Sequence, residues 1–118
     1  MKHLSTAHLQ KLEALKKEQF LLGCVEKLEA LALPNTFPPQ REDYYAFAEH
    51  IDKVARKYGL NEKRAVFALM LAWHLEGDAI SREHLFVQVL NDPTLSTLQK
   101  TEYFEKFILD TIPQEEEA

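Results

Sequence analysis

Leucines at 9, 12 and 15 open a run in which apolar residues recur every three or four positions. That spacing stacks side chains along one face of an α-helix. Ser5 stands where a helix N-cap belongs, with Leu4 and Leu9 placed around it as a hydrophobic staple. Further on, Leu21, Cys24, Leu28 and Leu31 form a second stripe, rotated from the first, and the pattern predicts a helix over residues 5–32. Gly23 lies in its middle, where glycine costs up to about 1 kcal/mol and marks a site for a kink or break. Unbroken, this helix would run about 40 Å, longer than a compact domain of this size is wide, so one end would project.

The remaining pattern is helical too. "LPNTFPPQ" (33–40) is a loop, because three prolines stop a helix and impose an extended path. Tyr44, Phe47, Ala48, Ile51, Val54, Ala55 and Tyr58 share one face and predict a helix over 42–58, closed by Gly59. Asn61 is placed to cap a third helix, 61–76, whose apolar residues go nearly all the way round and mark it as central. Gly77 closes it, and Trp73 reads as part of its buried face. Ser81, with Ile80 stapled against Leu85, opens a short fourth helix over 81–91. Ser96 and Gln99 have the spacing of a capping box for a fifth, 96–111, with Leu98, Phe104, Phe107 and Ile108 on its buried face. Residues 113–118 form an acidic tail. The expectation is one all-α domain over residues 1–112, a bundle of about five helices.

Composition narrows the function classes. Net charge is −5 over 118 residues, with five Lys and four Glu in 1–32 but two Lys against six acids in 96–118. Nucleic acid needs a concentrated basic face, which is missing. A helix-turn-helix can be laid over 65–90 with Gly77 in the turn. Its second helix, "SREHLFVQVLN", would offer a groove one arginine and mostly apolar groups. The single cysteine, Cys24, excludes an intrachain disulfide and reads as a small buried hydrophobe. With no signal-type apolar segment and no membrane-length run, the expected compartment is the cytoplasm.

The stretch that most resembles chemistry is "WHLEGD" (73–78). A helical zinc hydrolase needs two histidines four apart with a glutamate between them, so that both imidazoles face one metal. His3, His8, His50, His74 and His84 supply no such pair. No Gly-x-Ser-x-Gly elbow or glycine-rich phosphate loop is present either. The stretch reads as a core helix running into its cap, and no catalytic residue, cofactor or metal is expected. Candidate function therefore moves to apolar residues that one small core has difficulty covering: Leu9, Leu12, Leu15, Phe20, Phe37, Tyr45 and Phe86. For the three leucines two readings stand open: an interface stripe, or packing against the fifth helix.

Residues 58–108 add a resemblance. The "YGL" helix stop, the apolar helix ending in "EGD", and "LNDPTLS" before the last helix resemble small helical proteins encoded beside bacterial type VI secretion effectors and their chaperones. The resemblance implies a non-catalytic accessory protein, an adaptor or co-chaperone that binds an effector or its chaperone. An immunity protein neutralising a basic toxin is the alternative that the acidic charge suits. A helix-turn-helix-like regulator is a third. The partner expected is another protein, with a homodimer among the arrangements, and neither nucleic acid nor membrane.

Overall fold

The computed structural model describes residues 5–31, 33 and 35–112, and the chain is an all-α bundle of five helices. They are α1 (Thr6–Leu31), α2 (Tyr44–Lys57), α3 (Lys63–Glu76), α4 (His84–Asn91) and α5 (Thr97–Thr111). Short 3-10 turns at Arg41–Asp43 and Gly77–Arg82 lead into α2 and α4, and no strand occurs among the described residues. The expected staple residue Leu4 and the acidic tail 113–118 lie outside the described residues, as does Ala32 at the expected end of the first helix.

Several helix ends follow directly from sequence chemistry. The His8 amide donates to the Ser5 hydroxyl at 3.2 Å, capping α1. At the end of α2, Gly59 takes φ 78° while Leu60 N–H reaches the Ala55 carbonyl (2.9 Å) and Gly59 N–H the Arg56 carbonyl (3.0 Å). This is a complete Schellman closure, and it drives Leu60 into the core at 1% exposure. The α5 capping box also forms, with the Gln99 amide donating to Ser96 Oγ at 3.1 Å and Ser96 N–H to Gln99 Oε1 at 2.8 Å.

Other ends differ from expectation. Asn61 does not cap α3; the N-cap is Glu62, and it makes no side-chain cap bond. Ser81 does not open α4, because its hydroxyl donates back to the Asp78 carbonyl at 2.7 Å within the 3-10 turn. The proposed staple fails with it. Ile80 plugs the core at 0% exposure, whereas Leu85 is 58% exposed. Lys100 instead serves the far end of α4: its buried ammonium donates to the Leu90 carbonyl at 2.9 Å, satisfying one of the helix's orphan acceptors.

Helix α3 is central, packed by α1, α2 and α5. Its Ala65, Val66, Ala68, Leu69, Met70, Ala72 and His74 are all buried. Helix α2 contributes Tyr44, Phe47, Ala48, Ile51 and Ala55 to the same core. Between α4 and α5, Phe86 stacks on Phe104 with ring centroids 4.9 Å apart and meets Phe107 edge-on at 5.1 Å. Leu98, expected inside, is 54% exposed. It lies six positions before Phe104, which turns it about 120° around the helix from that buried ring.

Candidate functional site

The loop answers the question raised by "WHLEGD". Phe37 N–H donates to the His74 carbonyl (2.8 Å), and His74 Nδ1 lies 2.9 Å from the Phe37 carbonyl. A carbonyl only accepts, so the proton sits on Nδ1, and Nε2 carries a lone pair that meets no donor among the described residues. The imidazole is fully buried and packs edge-on against Tyr44, with centroids 5.2 Å apart. Burial pushes its pKa below the ordinary value, against a smaller opposing effect of the bond to Phe37. Gly77, at φ 68°, completes the socket: a Cβ there would stand 3.3 Å from Phe37 Cβ. His74 is thus a neutral pin that ties the proline-rich loop to the end of α3. Trp73, expected on the buried face, is only half-buried. It lines a small cavity of about 180 Å³ with Val54, Tyr58, Ile80 and Phe86.

Cys24 is buried in the core, and burial pushes its thiol up to about 11. It therefore holds its proton at neutral pH and packs as a hydrophobe. Among the described residues no group of three or more His, Cys, Asp or Glu is arranged to hold a metal ion.

The candidate residues part company in space. Phe86 is 1% exposed at the centre of the aromatic cluster and belongs to the core, which corrects its assignment to a binding surface. On α4, Phe86 and Leu90 face the core, and Leu85 faces outward. Phe37 is half-buried in the His74 socket, edge-on to Phe47 at 5.8 Å, so the loop residue is structural as well. Tyr45 is half-buried against the core.

Leu9, Leu12 and Leu15 are exposed by 47%, 44% and 54%, so they do not pack against α5. Their direction follows from helix geometry. Leu12 and the buried Leu21 are nine residues apart, about two and a half turns, and therefore on opposite sides of α1. The helix runs unbroken through Gly23. It carries one apolar face for the core, Leu21, Cys24 and Leu28, and another pointing away from it, Leu12, Leu15 and Leu22, with the exposed Leu9 on the flank between them, about 60° from Cys24. The molecule is correspondingly long. Its extents are 64 × 36 × 25 Å and its radius of gyration is 16.1 Å, against about 13–14 Å for a compact chain of this length.

Two clefts flank α1. One, of about 620 Å³, is apolar and lies between α1, α3 and α5, with Phe20, Phe67, Leu71 and Leu109 in its lining. Its rim is held by Arg64 and Glu105, paired at 3.0 and 2.6 Å, and by the Lys27 ammonium 5.1 Å from the centre of the Phe67 ring. The other, of about 690 Å³, is charged, with Lys16, Lys17, Arg56 and Lys63 around it and Asp52 below. Asp52 is fully buried, accepts from Arg56 Nε at 3.1 Å through Oδ2, and keeps Oδ1 unbonded among the described residues. Sequence reasoning missed both clefts, since they arise where helices distant in the chain meet.

Comparison with protein-family models, with curated proteins and with solved structures gives no match to this chain. Among the described residues no helix is long and apolar enough to cross a membrane.

Proposed function

We propose that this chain is a non-catalytic protein-interaction module that binds through the outward face of α1. One observation carries the reading: Leu12 and Leu15 sit at helical spacing on a projecting helix, on the side its own core does not use, with the exposed Leu9 at the edge of that face. Water-exposed leucines at three-residue intervals are the anchors by which an amphipathic helix enters a groove or pairs with another helix. Isolated exposed hydrophobes are ordinary, but an aligned set on an extended arm gives one surface for burial.

The narrower reading is an adaptor or co-chaperone of a bacterial cytoplasm, serving a secreted effector or the chaperone that carries it. Its support is the resemblance of residues 58–108, which rests on turns and caps such as Gly59, Gly77 and Ser96. The test is affinity purification of the tagged chain from its native cell beside a Leu12→Ser/Leu15→Ser variant. Capture of an effector or chaperone by the wild type alone supports the reading. A toxin captured in its place moves the chain to the immunity class. Equal capture by both forms rejects α1 as the binding face.

A further inference from the structure

We infer that the outward face of α1 pairs with α1 of a second copy, antiparallel, forming a two-fold dimer. The inference rests on the interaction reading above and names the partner for that face. Charge decides between orientations. In a parallel pair flanking the seam through Leu12 and Leu15, Lys11 of one chain lies against Lys16 of the other, and like charges meet. The antiparallel pair behaves differently. With the two-fold passing between Glu13 and Ala14, Leu12 lies opposite Leu15 of the second copy, and Leu15 opposite its Leu12. One edge then brings Lys11 beside Glu18 of the second copy, while Glu13, about 100° round the helix from Leu12, faces the charged cleft against α2 and α3. Symmetry repeats the contact, giving two opposite-charge pairs beside an apolar centre. Sterics agree, because Leu12 points directly away from Leu21 and the core, so the second body lies on the far side of the helix pair.

Two paired helices of this length bury less than the roughly 1,200 Å² of a standard interface, so the dimer should form over micromolar concentrations rather than persist on dilution. Sedimentation equilibrium between about 5 and about 500 µM reads it directly. The expected mass rises from 13.7 kDa towards twice that value. Leu12→Ser/Leu15→Ser should stay monomeric throughout, with its melting temperature within about 5 °C of wild type. Lys11→Glu tests orientation, since it sets a second carboxylate beside Glu18 in the antiparallel pair but relieves the clash with Lys16 in a parallel one. It should weaken the dimer several-fold, and adding Glu18→Lys should restore it. A stronger dimer in Lys11→Glu overturns the antiparallel arrangement. A wild type monomeric at every concentration overturns self-pairing while leaving the face open to another protein. Unfolding of the double-serine variant would overturn the interaction reading itself, by showing that the leucines are core.

Discussion

His74 shows how far one side chain's role depends on residues distant in sequence. Its pKa is lowered by burial, so the unfolded chain binds a proton that the folded one refuses. The neutral imidazole's contribution to stability is therefore complete above the ordinary value of 6.5 and is lost as pH falls from there through the folded-state value. Urea midpoints from pH 7.5 to pH 5 should fall more steeply for wild type than for His74→Leu. His8, His50 and His84 are exposed and common to both, so the difference isolates the buried ring. Two glycines provide a second contrast. At Gly77 a methyl group meets Phe37 and a positive φ, so Gly77→Ala should cost more than about 1 kcal/mol. At Gly23 a methyl meets nothing within 4 Å, and Gly23→Ala should stabilise by about 0.5–1 kcal/mol. Equal shifts in denaturation midpoint would contradict the socket around Phe37.

Among the elements, α4 is held less by its own ends than by what it inserts. Phe86 is buried beneath Phe104, Phe107 and Tyr103, and Phe86→Ala should cost about 3–5 kcal/mol by opening a cavity. Calorimetry checks this, and a near-wild-type midpoint would return Phe86 to the surface. The helices themselves were legible in the sequence because apolar spacing and strong caps agreed, as at Ser5, Gly59 and the Ser96–Gln99 box. They were misread at Asn61 and Ser81, where a residue suited to capping found a different backbone around it. A 3-10 turn that buries Ile80 cannot be told from a helix start by residue type alone. The Phe37–His74 pairing was hidden for another reason: it joins residues 37 positions apart, and periodicity reports only on neighbours within a helix. The leucine face was legible as apolar spacing, but only the packed structure shows that its direction opposes the core.

For the molecule as a whole, the consequence of an α1 with two opposite apolar faces is that one continuous helix has two stabilities. Around Leu21, Cys24 and Leu28 the backbone is locked to the core, and its amides can exchange with solvent only when the domain opens. Around Leu9 to Leu15 tertiary contact is sparse, and a helical segment this short is marginal in water by itself. Hydrogen exchange on the dilute protein should show a steep gradient along α1, with residues 9–16 exchanging orders of magnitude faster than residues 21–28. Uniform protection along the helix would contradict it. Covering the outer leucines should slow the fast half selectively, so the arm would gain order at the moment it is occupied. Half of this helix is anchored by the domain, and the other half stands on its own backbone hydrogen bonds.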